Sequence, residues 1–475
     1  MNRYERVPIP EESKEDRVEK FQLITQPYTL EEAVLEGQRC LECAMPYCIQ
    51  GCPITQDCRG YNVAIGNRDF DGAARLALRE NPLSMVLCKT CYHFCEDDCI
   101  MTGRGVPIAI RQLKRAALDF GKSDLMYVPS KPKHERIAII GAGPTGLMAA
   151  WDLGVRGYSV TVFESEPFLG GQINTIPRYH LEEDDLDTDL ARWKNLDITF
   201  VGGKKAGVDY TPKGLIDEGY DAVLVSVGAS KARELGIPGE HLPGVYHALP
   251  FLLAINKGPE GLFGRKGRHI VVIGAGDVAL DAARSARRLS GGGDVSLVYR
   301  RGPEDMKATA EEKEGGEIEG IRYVFFRSPK SIVGTERVEG LVVERTEHGP
   351  PDASGRRPLR VIPDSQETIE CDMIIVAVGE VADVSDMGTQ YDFKFASMGW
   401  PEGKLEGWMT GVEGVFATGG RSVVHAMGAG ERAATAIDEY LAKKHGRSAE
   451  PRPDPFGGPV PPSLPSGYGG ATWTP

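Results

Sequence analysis

Two stretches of this chain read as a strand, a glycine turn, a helix and a second strand, and they constrain the fold more than anything else in it. The first runs Ile137-Ala138-Ile139-Ile140, then Gly141-Ala142-Gly143-Pro144-Thr145-Gly146, then a helical stretch to Arg156, an apolar run from Ser159 to Phe163, and Glu164. Gly141 permits the tight turn, Gly143 lets the backbone approach a pyrophosphate, and Gly146 lets helix and strand pack closely. Pro144 and Thr145 open the helix, whose free N–H groups suit phosphates. Glu164 can accept from ribose hydroxyls. A lone GxGxxG is weak evidence, but here strand, helix and a carboxylate about 20 residues on arrive together.

The second stretch is His269-Ile270-Val271-Val272-Ile273, then Gly274-Ala275-Gly276-Asp277-Val278-Ala279, a helix to Leu289, and a strand from Asp294 to Tyr299. Ala279 replaces the third glycine, which the fingerprint allows. Arg300 and Arg301 stand where the first stretch has Glu164, with Lys307 close behind. Guanidinium groups there suit the 2′-phosphate of NADP(H), whereas two solvated arginines would be the plain alternative.

These stretches predict nested domains. Tyr220 to Ala229, ending at Gly228, reads as a buried strand whose partner is Cys371 to Glu380, ending at Gly379. The second fingerprint lies between them. The expected divisions are 135–250 and 372–444 for the first nucleotide domain and 251–371 for the insert. Phe168-Leu169-Gly170-Gly171-Gln172 is a further glycine turn that could pass under a dinucleotide, and Glu182 to Asp189 reads as a solvated acidic helix face. Val415 to Gly419-Gly420 makes a short strand and turn. A helix from Ala429 to Lys443 follows, its N-terminus at Gly428-Ala429-Gly430 expected to face a cofactor.

Nine of the ten cysteines lie between Cys40 and Cys99. They form Cys40-x2-Cys43-x4-Cys48-x3-Cys52-Pro53 and Cys88-x2-Cys91-x3-Cys95-x3-Cys99, close to the ferredoxin run whose fourth cysteine serves the other 4Fe-4S cluster. Two groups therefore predict two crossed clusters in a helical domain, 1–134. Zinc is the rival, although zinc sites usually separate their cysteine pairs by a dozen or more residues. Cys58 falls outside both spacings and reads first as a packed free thiol. Helices are expected at Thr29 onward, over Val63 to Glu80 and over Pro107 to Leu118, with a linker from Ser123 to Glu135.

A net charge of −13 argues against a nucleic-acid surface. No run reaches the ~18 apolar residues of a membrane span and the N-terminus lacks a signal-peptide core, so a cytoplasmic location is expected. The tail, 445–475, is rich in proline and glycine. It is expected to build no core and to lie along a partner, with Tyr468 and Trp473 as anchors.

Taken together, these residues resemble the small (beta) subunit family of glutamate synthase. That family includes the N-terminal half of dihydropyrimidine dehydrogenase and the large subunit of NADH-dependent ferredoxin:NADP oxidoreductase. The resemblance spans roughly residues 25 to 443. Besides the first cysteine run and the two fingerprints, it rests on Leu235-Gly236-Ile237-Pro238-Gly239-Glu240, Asp281-Ala282-Ala283-Arg284 and Val298-Tyr299-Arg300-Arg301. It implies an α/β fold of two nested Rossmann-like domains, FAD in the first and NAD(P)H in the insert, behind an α-helical domain with two 4Fe-4S clusters.

By position, the resemblance also implies that Cys40, Cys43 and Cys48 share a cluster with Cys99, and that Cys52, Cys91 and Cys95 need a fourth ligand. Relatives place a Gln or Glu where this chain has Lys114, and an ammonium has no lone pair to give. Cys88 is the nearest substitute, with Cys58 behind it. A second departure is Gly419-Gly420-Arg421, where relatives carry Gly-Asp.

The implied activity is hydride exchange between nicotinamide and FAD, with the clusters relaying single electrons to or from a partner redox subunit. No acid–base dyad is needed, so no catalytic side chain is assigned. The partner could be a glutamate synthase large subunit, or a ferredoxin-like subunit serving a molybdenum or tungsten enzyme such as an aldehyde oxidoreductase. The alternative is a stand-alone reductase of a small disulfide or quinone. A redox-active CxxC in the flavin domain would favour that reading, and Cys371 is the only cysteine there. A cluster scaffold with vestigial nucleotide folds is a third reading, and two intact fingerprints oppose it.

Overall fold

In the computed structural model, which describes residues 3–122, 125–258, 269–351, 357–396 and 399–457, each glycine fingerprint begins at the central strand of its own parallel sheet. The first sheet has five strands in the order Val415–Ala417, Ala222–Val225, Arg136–Ile140, Ser159–Phe163, Ile198–Val201. The second also has five, in the order Val245–His247, Met373–Val376, Ile270–Ile273, Val295–Val298, Arg322–Val324. The central strands are buried on both faces, as the unbroken apolar runs of a parallel sheet require.

The expected pairing of the strand at 373–376 with the one at 222–225 is corrected. Met373–Val376 instead lies between Val245–His247 and Ile270–Ile273, because a run of buried apolar residues fixes a central parallel strand without saying in which sheet. The insert therefore takes strands from both sides of its expected limits. The two chain crossings meet where Lys231–Ala232 pairs antiparallel with Glu380–Val381.

The N-terminal domain is helical. Leu30–Gly37 begins at Thr29 with a capping box, Thr29 N donating to Glu32 Oε2 at 2.8 Å. The helix expected over Val63 to Glu80 is two, Cys58–Gly66 and Phe70–Arg79, because Arg68 adopts φ 64° and the Asp69 carboxylate caps the second at Gly72 N. Ser84–Thr90 and Ile110–Phe120 complete the cradle. The acidic stretch is a solvated face only in part: Glu182, Glu183, Asp184 and Asp187 are exposed, but Asp185 and Asp189 are buried. Asp189 is buried and accepts from Met85 N and Val86 N at the start of Ser84–Thr90, and Asp185 pairs with Lys89 at 2.7 Å.

The C-terminal helix begins earlier than expected, at Val423, with Ser422 as its cap, and runs to Lys444. It lies along the first fingerprint helix, Pro144–Val155, so closely that a methyl at Gly430 would fall 2.2 Å from the Thr145 carbonyl oxygen. A methyl at Gly428 would fall 2.4 Å from the Pro53 carbonyl. The beginning of the tail is also packed. Arg452 reaches Asp152 and Glu431, each at 2.9 Å, Asp454 pairs with Arg75, and Phe456 stacks on Tyr127 with ring centroids 5.3 Å apart. The expectation that the tail builds no core is thus corrected for this segment, while 458–475, with Tyr468 and Trp473, lies outside the described residues. Among the described residues no helix is long and apolar enough to cross a membrane.

Gly430→Ala tests the helix contact. The added methyl meets backbone that cannot rotate away, so a loss of about 1–3 kcal/mol is expected, read as a lowered urea midpoint. An unchanged midpoint would show that the helices separate freely.

Candidate dinucleotide and cluster sites

The two nucleotide turns are built alike. Gly141 has φ +104°, and a side chain there would meet the Ser226 carbonyl at 2.6 Å. Gly274 meets Ala377 O in the same way, at 2.3 Å. Each first glycine therefore presses against backbone just beyond the neighbouring central strand. Gly146 packs on the Gly141 carbonyl, and Ala279 is buried in the equivalent place. By contrast Gly143 and Gly276 have nothing within 4 Å of where a Cβ would stand. Their open side is the space a pyrophosphate needs.

Around the first turn, Glu164 is buried, accepting from Ala142 N at 2.8 Å through one oxygen and from Glu166 N at 3.0 Å through the other. Its remaining lone pairs are available to a ribose. The turn at Gly171 packs onto Gly143, and Gln172 donates to Ala229 O beside Gly228. Gly419 lies against Trp400, and Gly420 folds back onto Ala426 N in the first turn of the C-terminal helix. Ala429 is not at a helix terminus. It is buried more than a turn inside, and the residues at the helix start, Ser422 to His425, occupy the place expected of it. Ser422 three residues before His425 was the capping signal.

Around the second turn, Asp277 accepts from Thr309 N at 2.8 Å, and Lys307 N donates to Ala275 O at 3.1 Å, so the chain beyond Arg300 returns over the glycines. Arg300 and Lys307 are exposed there. Arg301 turns towards Asp305, 3.7 Å away. Gly379 follows a strand of this second sheet, so it borders the domain of the second fingerprint.

The N-terminal domain gathers its thiols around two cavities. One is lined by Cys40, Cys43, Cys48 and Cys99, the other by Cys52, Cys58, Cys91 and Cys95. Cys88 belongs to neither. Its thiol donates to Met85 O at 3.1 Å within its own helix, which corrects its expected place in the second group. Cys58, the second choice by position, lines this cavity although five residues separate it from Cys52, a spacing found in neither cysteine run. All ten cysteines are free thiols.

The donor sets fit clusters better than single ions. Sulfurs bound to one tetrahedral zinc at ~2.3 Å stand about 3.8 Å apart. Among the described residues no three cysteine sulfurs lie within 4.8 Å of one another. Burial pushes the Cys48 thiol up to about 12, so metal binding must draw the protons off. Lys114, 4% exposed, lines the second cavity and has no hydrogen bond or ion pair among the described residues. A buried ammonium needs a counter-charge, and an anionic thiolate-held cluster would provide one.

The same cavity touches both neighbouring domains. Val424, in the first turn of the C-terminal helix, lines it, and Phe94 sets its ring edge-on to His425 at 4.8 Å. Arg111 donates to Cys91 O at 3.0 Å and clasps Glu311 of the insert at 3.0 and 2.9 Å. The nearby group His180, Asp281 and Glu312 is committed to ion pairs, Arg284 meeting Glu312 at 2.6 Å.

Sequence comparison accords with this anatomy. Residues 17–125 match the family described as dihydropyrimidine dehydrogenase domain II, 4Fe-4S cluster, and residues 135–439 match pyridine nucleotide-disulphide oxidoreductase. Fold and site thus define an oxidoreductase with an N-terminal 4Fe-4S domain. The chain is 31% identical to the glutamate synthase (NADPH) small chain of Halomonas elongata over 90% of its own length and 94% of the relative's. It is 33% identical to the NADP(+)-dependent formate dehydrogenase subunit beta of Moorella thermoacetica, covering 83% of this chain and 60% of that one. Mycobacterium tuberculosis FprA in complex with NADPH shares the fold, with a TM-score of 0.56, 22% identity, and 68% of this chain and 88% of that chain covered. The chain belongs to the glutamate synthase small-subunit family.

The open second glycines give a paired test. Gly143→Val should fold yet lose bound flavin, read as the flavin-to-protein absorbance ratio. Gly276→Val should keep its flavin and raise the KM for NADPH roughly tenfold or more, equivalent to about 1.4 kcal/mol. Loss of flavin from both variants would mean that the turns are structural only.

Proposed function

We propose that this chain is the nicotinamide- and flavin-bearing subunit of a larger redox assembly, with FAD at the first fingerprint, NADP(H) in preference to NAD(H) at the second, and two 4Fe-4S clusters in the N-terminal domain. The contact of the second thiol cavity with the start of the C-terminal helix carries this reading, because that helix start is folded against Gly420, in the turn that follows the strand Val415–Ala417 of the first fingerprint's sheet. When bound, FAD supplies hydride exchange with nicotinamide, and iron–sulfur clusters supply transfer of electrons one at a time.

The chain's own residues do the positioning. Gly141, Gly143 and Gly146 seat one pyrophosphate, and Gly274 and Gly276 the other. Glu164 holds a ribose, and Arg300 with Lys307 offers positive charge to a 2′-phosphate. Burial, aided by Arg421 and Arg432, pushes the His425 imidazole down to about 4. It is therefore neutral near pH 7, and the helix start beside the flavin turn gains no titrating cation from it. Clusters have no use where a small substrate reacts directly at a flavin, which supports a subunit over a stand-alone reductase. The names of relatives, a small chain and a subunit beta, support the same reading. The partner is then a larger redox subunit.

Anaerobic purification should yield one flavin with about eight iron and eight sulfide per chain. The isolated chain should reduce viologen dyes with NADPH and form no glutamate from 2-oxoglutarate and glutamine. Zinc in place of iron would end the relay reading, and full turnover of an organic substrate by the chain alone would favour the stand-alone one.

Charge-assisted contacts contribute ~1.5–3 kcal/mol, so Arg300→Ala should lower the NADPH-over-NADH ratio of kcat/KM about tenfold to a hundredfold. An unchanged ratio would make Arg300 a surface residue.

A further inference from the structure

We infer that the second cluster site is an all-cysteine set completed by Cys58, with the ammonium of Lys114 as its buried counter-charge. The inference rests on the two-cluster reading above and deepens it by naming the fourth ligand and the group that tunes the site.

Three observations converge on Cys58. It lines the same cavity as Cys52, Cys91 and Cys95 and is 1% exposed. Its thiol is a near neighbour of those of Cys52 and Cys95. It is also the first residue of the nine-residue helix Cys58–Gly66, whose cap Asp57 accepts from Gly60 N at 2.8 Å. That cap fixes the start of the helix, and with it the place of Cys58 on the cavity wall.

Cys88 has the opposite setting. It lies in the second half of Ser84–Thr90, at the helix end that disfavours negative charge, and its bond to Met85 O requires the proton to stay on sulfur. Ligation would have to break that bond and turn the side chain out of its packing.

Lys114 stands one helical turn beyond Arg111 on Ile110–Phe120, and both line the cavity. Arg111 is committed to Cys91 O and Glu311. Lys114 is left as the cation facing the four thiols. On assembly Cys58 gives its proton to solvent and forms a bond to iron, with no electron transferred in that step. The ammonium then stabilises the extra negative charge of the reduced cluster and raises its potential.

The test uses the full chain purified anaerobically, as wild type, Cys58→Ser, Cys88→Ser and Lys114→Met. Iron, sulfide and flavin are counted, and EPR spectra are recorded after dithionite reduction. Wild type and Cys88→Ser should hold about eight iron, while Cys58→Ser keeps its flavin and the first cluster and loses or alters the second, falling towards about four iron. Lys114→Met should keep its iron and shift one midpoint potential to more negative values, leaving the other in place. Wild-type iron, sulfide and EPR in Cys58→Ser would overturn Cys58 as ligand with the two-cluster reading intact. Fewer than two clusters in wild type would instead overturn that reading itself. Should Cys58→Ser fail to fold, ENDOR on the reduced wild-type protein decides. Cysteine β-proton couplings without nitrogen coupling support the assignment, and a directly bound nitrogen, from Lys114 or from His93, which also lines the cavity, overturns it.

Discussion

The architecture depends on three backbones brought almost into contact. Gly430 admits the Thr145 carbonyl and Gly428 admits the Pro53 carbonyl, so the C-terminal helix is clamped between the first fingerprint helix on one side and the loop that follows Cys52 on the other. Side chains at these positions would push the helical domain away from the nucleotide domain. Because Pro53 adjoins Cys52, the same contact sets the distance between the second thiol cavity and the flavin turn. The continuous core that results runs from Cys52, Leu87 and Leu113 through Trp151 to Met427 and Ile437. The helical domain and the domain of the first fingerprint thus share one hydrophobic core.

Buried charge then fixes orientation. Asp438, 1% exposed, accepts from Tyr158 at 2.6 Å and from Lys133 at 2.8 Å, and Arg447 also reaches Tyr158. In the insert, Arg284 and Arg288 share the buried Glu319, which braces the second fingerprint helix against Ala310–Ile318 and its C-terminal turn. Such groups are costly to bury, and removing one partner leaves the other uncompensated. They act less as sources of stability than as specifications of how helices must lie.

What the sequence made legible is what is local. Each fingerprint carries its strand, turn and helix within about 30 residues, so Gly141 to Glu164 and Gly274 to Arg300 could be read before any folding was considered. The strand at 373–376 could not be assigned, because Met373-Ile374-Ile375-Val376 would suit the centre of either sheet. Gly428-Ala429-Gly430 imitates a helix start, and only the packing of Thr145 and Pro53 shows that its glycines serve contact. Cys58 was obscured for the opposite reason. Spacing in the chain groups Cys88 with Cys91, whereas the fold brings Cys58 across from another helix and turns Cys88 inward. The prolines of the early tail conceal its packing, since Arg452 and Phe456 find partners 300 or more residues away in sequence.

Arg111 has one guanidinium and two allegiances, to the carbonyl of a cavity cysteine and to the carboxylate of Glu311 on the insert. The insert is joined to the first sheet's domain by two crossings that form a narrow two-stranded strap. Parting Glu311 from Arg111 would take from that guanidinium the carboxylate it grips, and restoring the contact would return it. The position of the insert is thereby tied to the charge beside the thiol cavity.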